Sequence, residues 1–110
     1  MGNKVTFQNY GAQQNWVNGG FHSSTSKKTI SVISPYFDME IATVPESNVA
    51  DLDHAVQKAK AAFPAWASLN VRDRAEIMFN LKSIMENNLD EMAELIALDN
   101  GKTVADAKGS

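Results

Sequence analysis

The stretch 47–101 restricts the possible folds more than any other part of the chain, because its helix ends are spelled out in capping residues. Asn48 can accept a hydrogen bond from an unpaired N–H of a first turn. Asp51, three residues on, sets a carboxylate where a helix N-terminus favours negative charge. Leu52, Ala55, Val56, Ala59, Ala62 and Phe63 recur at spacings of three and four and predict one apolar face, with Asp53, Gln57, Lys58 and Lys60 largely opposite. Pro64 lacks an N–H and biases Phe63 away from helical geometry, so this helix is expected to stop near Ala62. A second helix, capped by Asn70 or Ser68 with Asp73 in its first turn, carries Val71, Ala75, Met78 and Leu81, widened by Ile77, Ile84 and Met85. Asn87-Asn88 breaks that pattern. Asn88 with Glu91 predicts a capping box for a third helix that buries Leu89, Met92, Ala93, Leu95 and Ile96 and closes at Asn100-Gly101. Thr103 with Asp106 predicts one more cap. The helix it opens has barely begun at Ser110, which is expected of a chain cut from a longer one.

The part before this block predicts strands. Residues 1–14 are polar, with Val5, Phe7 and Tyr10 as isolated hydrophobes, and are expected to form an extended N-terminal arm. In Trp16-Val17-Asn18-Gly19-Gly20-Phe21 the Asn-Gly pair suits a type I′ turn between two short strands. After a polar loop at 23–28, residues 29–33 alternate and are β-branched, Ser34-Pro35 ends that strand, 36–39 turn, and 41–44 return until Pro45. The expected fold is thus an α/β fragment: two short N-terminal β-hairpins followed by three to four amphipathic helices, with an arm at 1–14 and one incomplete unit at 15–110. Four short strands cannot cover three apolar helix faces, so part of that surface is expected to face a sheet supplied from elsewhere.

Composition excludes several functions. With 44% hydrophobic residues and a net charge of −3, the chain has ordinary globular composition and no basic stripe for nucleic acid. It has no cysteine, so disulfides, thiolate metal sites and a cysteine nucleophile are ruled out within these residues. No apolar run approaches the roughly 18 residues of a membrane helix, and no secretory signal is evident. The expected setting is therefore cytoplasmic, without a nucleic-acid or membrane partner. Met1-Gly2 with Thr6 fits the short N-myristoylation pattern, though Gly2 after the start methionine is common.

The reactive side chains have structural readings. His22 and His54 each lack an i+4 histidine or a cysteine, which argues against a metal site. Asp51 with Asp53, and Glu91 with Glu94, read as helix N-terminal charge and a solvated face. Met78, Met85 and Met92 at heptad spacing read as core packing. Lys102 follows a glycine turn but lacks the glycine-rich loop of a phosphate cradle.

In order and spacing, the chain resembles the N-terminal part of the NAD(P)-dependent aldehyde dehydrogenase superfamily from about Trp16 to its end. The matching residues are Trp16-Val17-Asn18-Gly19, Ser34-Pro35, Ile41-Ala42-Thr43-Val44-Pro45 and Asp51-Leu52-Asp53 with Ala55-Val56. They continue with Ala59-Lys60-Ala61-Ala62-Phe63-Pro64-Ala65-Trp66, Arg72-Asp73-Arg74-Ala75, Glu94-Leu95-Ile96 and Asp99-Asn100-Gly101-Lys102-Thr103. The chain departs from the usual pattern at Ser34, where asparagine is common, and at Tyr36 and Asp38, where a small residue and glycine are. Ser34-Pro35 and Asp106-Ala107-Lys108-Gly109 lean towards the methylmalonate-semialdehyde dehydrogenase branch, with succinate-semialdehyde and betaine-aldehyde branches as alternatives.

The resemblance implies a complete enzyme that uses NAD or NADP and a nucleophilic cysteine to oxidise an aldehyde or semialdehyde, releasing a thioester to water or coenzyme A. All those groups lie downstream of the matched region, so no catalytic or cofactor-binding residue carries over, and this chain alone is expected to be inactive and to bind no cofactor. Its partners would be the remainder of the parent enzyme and, through it, a small aldehyde substrate, in a homo-oligomer. The resemblance also implies a structural monovalent cation held by backbone carbonyls at the strand end and by a carboxylate before Asn-Gly, positions that match Val32, Ile33 and Asp99. Hard cations prefer oxygen ligands, and a carboxylate at a helix C-terminus faces an unfavourable dipole that a cation relieves. The alternative from another class is a stand-alone, non-enzymatic helical interaction module.

Overall fold

The computed structural model describes residues 4–110, so the Met1-Gly2 end of the acylation pattern lies outside it. The chain forms two antiparallel hairpins, β1 (Asn15–Val17) with β2 (Gly20–His22) and β3 (Thr29–Ser34) with β4 (Met39–Pro45). Four helices follow, α1 (Val49–Ser68), α2 (Val71–Asn87), α3 (Leu89–Asn100) and α4 (Val104–Lys108). This is the expected α/β order. No helix among the described residues is long and apolar enough to cross a membrane.

Local signals account for most element ends. Asn18 (φ 53) and Gly19 (φ 79) are both left-handed, as a type I′ turn requires, and they align Trp16 with Phe21. Asn48 caps α1 in a reciprocal box with Asp51, Asn70 caps α2 through the Asp73 N–H at 2.8 Å, and Thr103 caps α4 through the Asp106 N–H at 3.1 Å. Gly101 closes α3 at φ 81, and a Cβ there would meet Pro35 Cγ at 3.2 Å, so both conformation and space call for glycine.

Four expectations need correction. First, α1 does not stop near Ala62 but continues through Pro64 to Ser68. Proline removes only one N–H donor, and Ala59, Ala61, Ala62, Ala65 and Ala67 around it are the strongest helix formers. Second, Asn88 makes no side-chain cap for α3; its Nδ2 donates back to the Ile84 carbonyl at 2.8 Å, a nearer acceptor left open at the end of α2. Third, the return strand is longer than 41–44. Met39 already pairs with Ser34, the tight turn lies at 35–38, and Pro45 still faces Thr29. Fourth, the buried face of α3 is Ala93, Ala97 and Leu98, whereas Leu89 and Leu95 are exposed.

Residues 4–14, which fall in the expected N-terminal arm, pack against β4. Tyr10 N–H donates to the Ile41 carbonyl at 2.7 Å, Thr43 N–H to Gly11 at 3.0 Å and Gln13 N–H to Thr43 at 2.8 Å, with a parallel bridge between Ala12 and Thr43. At the register shift between Val32 and Ile33, Ile41 is the extra residue of β4, so its carbonyl is free to take Tyr10. Val5 thereby joins a small core with Ile41, Ala93, Ala97, Leu98, Val104 and Ala107. Neither α1 nor α2 contributes a buried residue to it. The molecule is a slab of 46 × 39 × 16 Å, barely more than one layer of structure thick.

Candidate functional site

Three places gather the side chains that sequence reasoning singled out. The first is the junction where the end of β3 meets the C-terminal turn of α3. Ser34 is fully buried there; its hydroxyl donates to the Leu98 carbonyl and accepts the Tyr36 N–H at 3.2 Å, locking strand end to helix end. This lock brings Val32 and Asp99 to the wall of one open cleft of ≈ 400 Å³, shared with Ile41, Val44 and Leu98. Ile33 does not line that cleft and is half exposed. Asp99 is exposed in the last turn of α3, where the helix dipole disfavours its charge. No cluster of three or more His, Cys, Asp or Glu suited to a metal occurs among the described residues, so any ion here would depend on carbonyl oxygens beside Asp99.

Two of the departures from the usual pattern, Ser34 and Asp38, lie at the same junction. Ser34 satisfies two backbone groups at the turn, and Asp38 adopts φ 54, in the left-handed region where glycine is the ordinary choice.

The second place is the attachment of α1. Asp51 accepts Ser24 Oγ at 2.5 Å, Thr25 N–H at 3.0 Å, Thr25 Oγ1 at 3.0 Å and Asn48 N–H at 3.1 Å. These donors, the Ser24 hydroxyl foremost, lower its carboxyl from the ordinary 3.8 to about 2. The residue is thus a clamp between the 23–28 loop and the helix, and no general acid. Glu94 serves similarly, accepting the Thr6 N–H at 2.9 Å. Beside the clamp, β2 and α1 bring His22 and His54 together with ring centroids 6.2 Å apart and both exposed, a pairing that separate inspection of the two positions could not find.

The third place is an apolar groove of ≈ 440 Å³ between α2, α3 and α4. Met78, Met85 and Met92 line it together with Leu81, Leu89 and Ile96. These methionines are therefore the wall of an open groove within this chain, and Met78 and Met85 are exposed. The core packing expected of this series does not form within the described residues. Lys102 Nζ donates to Ser110 Oγ at 2.9 Å, with no glycine-rich loop around it.

The described residues thus form a hairpin-led slab in which α1 and α2 bury no residue. The profile of the aldehyde dehydrogenase family matches residues 21–110, and the chain belongs to that family. It is 38% identical over 94 residues to the methylmalonate-semialdehyde/malonate-semialdehyde dehydrogenase [acylating] of Mus musculus, covering 86% of this chain and 18% of that one. It is 35% identical over 96 residues to malonate-semialdehyde dehydrogenase 1 of Shouchella clausii, covering 87% and 20%. Among solved structures, aldehyde dehydrogenase C of Pseudomonas syringae, in complex with NAD+ and octanal, superposes with a TM-score of 0.86 at 26% identity over 98% of this chain and 22% of that one. The chain spans about a fifth of the length of the curated relatives it matches.

Proposed function

We propose that this chain is the N-terminal scaffold of an NAD(P)-dependent aldehyde dehydrogenase acting on a semialdehyde of the malonate or methylmalonate kind. The observation that carries this reading is that α1 and α2 bury nothing, although Leu52, Phe63, Ile77, Met78, Phe79 and Ile84 stand on them. Two helices with such faces need cover, and relatives about five times as long would supply it. The names of the Mus musculus and Shouchella clausii relatives support the choice of substrate.

In such an enzyme a bound NAD or NADP would supply the hydride acceptor. The 110 residues contain neither a cysteine nor a glycine-rich phosphate loop, so they do not fit that cofactor by themselves. Their part is positional: Asp51 fixes α1 to the 23–28 loop, and Ser34 fixes the β3 end to α3. A structural monovalent cation near Asp99 and the Val32–Ile33 strand end belongs to the same reading, supported by Val32 and Asp99 sharing a cleft. The chain would work in a homo-oligomer in the cytoplasm.

The test is NAD and NADP reduction with malonate and methylmalonate semialdehydes. The chain alone should match a blank without protein. Turnover that co-purifies with the chain and is lost on a single substitution in it would contradict the reading. The groove walled by Met78, Met85 and Met92 favours one rival, a stand-alone interaction module that binds a partner helix there.

A further inference from the structure

The sequence contains two Asn-Gly pairs, Asn18-Gly19 and Asn100-Gly101, and the fold gives them opposite surroundings. We infer that Asn18, at the tip of the β1–β2 hairpin, is a site of spontaneous deamidation, and that the fold protects Asn100 from the same reaction.

The chemistry needs only water. The backbone nitrogen of the following residue attacks the side-chain Cγ of asparagine. A nitrogen–Cγ bond forms and the Cγ–Nδ2 bond breaks. The nucleophile's proton is lost to solvent, and the leaving nitrogen takes one up and departs as ammonia. Water then opens the five-membered imide at either carbonyl, to aspartate or to isoaspartate, with no oxidation or reduction. A following glycine speeds the attack because no Cβ hinders the close approach of backbone to side chain.

At the hairpin tip neither reactant is engaged by a neighbour. Asn18 is exposed, and the space around Gly19 is open, with no atom within 4 Å of where a Cβ would sit. Neither the Asn18 carboxamide nor the Gly19 N–H has a hydrogen-bond partner among the described residues. At the end of α3 both reactants are engaged. The Gly101 N–H, which would be the nucleophile, donates to the Ala97 carbonyl at 2.9 Å, and Asn100 Oδ1 accepts the Lys102 N–H at 2.9 Å. Pro35 packs close against Gly101, so the turn cannot rearrange without disturbing the β3–α3 junction. The other asparagines of the chain precede residues with side chains.

The product has structural consequences. The aspartate form adds a negative charge to a chain already at −3. The isoaspartate form inserts a methylene into the backbone of the turn that sets the register Trp16↔Phe21, and so disturbs the edge-on contact of those rings, whose centroids lie 4.7 Å apart.

The test is incubation of the chain at neutral and mildly alkaline pH, with peptide mapping by mass spectrometry and isoaspartate detection at both positions. In native buffer Asn18 should convert about tenfold or more faster than Asn100, and the two rates should converge in denaturant, where local protection is lost. Hydrogen exchange offers a second readout: the Gly19 amide should exchange fast and the Gly101 amide slowly. Equal conversion of the two sites in native buffer, faster loss at Asn100, or an unmodified Asn18 would overturn the inference, as would a protected Gly19 amide.

Discussion

Asp51 holds α1 to the 23–28 loop, its one carboxylate taking four donors from Ser24, Thr25 and the α1 cap Asn48. Its carboxyl is lowered in the folded chain, so its contribution is fully present above the ordinary 3.8 and is lost as pH falls through about 2. Asp51→Asn should therefore lower the melting temperature at neutral pH, and the gap between variant and parent should close as the pH approaches 2. A gap that stays constant over that range would contradict the clamp. Asp99 makes a different prediction. If its carboxylate completes a cation site, potassium should raise the melting temperature of the parent and leave Asp99→Ala unmoved; an ion at a hundredfold excess over its Kd adds about 2.7 kcal/mol. Equal response of both proteins would remove Asp99 from the site. The caps at Asn48, Asn70 and Thr103 were legible in the sequence because donor and acceptor lie within three residues. Asn88 was not, because its carboxamide could either accept an N–H from the first turn of α3 or donate to the carbonyl behind it, and it took the carbonyl. The meeting of His22 with His54 depends on how β2 and α1 pack, which no local pattern records.

Among the elements, α1 carries the most avoidable cost. Pro64 lies inside it and cannot donate to the Lys60 carbonyl, while alanines on both sides keep the helix going. Pro64→Ala should restore that bond and stabilise the chain by about 1–3 kcal/mol, read by chemical denaturation together with helical circular dichroism. A loss of stability would mean that the helix is bent at Pro64 to fit a neighbour. The apolar stripes of α1 and α2 follow from periodicity and the first hairpin turn from Asn18-Gly19, so these could be read directly. The pairing of residues 10–13 with β4 could not: a parallel contact between Ala12 and Thr43 has no turn signal, and one buried valine at position 5 has no period. The buried face of α3 keeps the expected Ala93 and moves on to Ala97 and Leu98, where strand β3 and helix α4 approach.

Taken together, these elements leave far more surface than a finished domain of this size. The accessible area is 8322 Å² for 12.0 kDa, against roughly 6,000 Å² for a compact monomer of that mass. The excess of roughly 2,300 Å² falls in the range buried in obligate interfaces. Each large apolar side chain left in water forgoes about 1.5–3 kcal/mol of burial, and several such losses match the whole ~5–15 kcal/mol stability of a typical domain. The sequence could reveal that cover was needed, since its stripes outnumber its strands, but it could not say which stripe stays open. Small-angle scattering over a dilution series tests the scaffold reading most directly. The Cα radius of gyration is 17.4 Å, whereas a compact 110-residue domain would have about 13 Å. The account predicts a value of at least about 17 Å at the lowest concentration, rising with concentration as open faces pair. A radius near 13 Å that does not change with concentration would contradict it, because the chain would then cover its own helices.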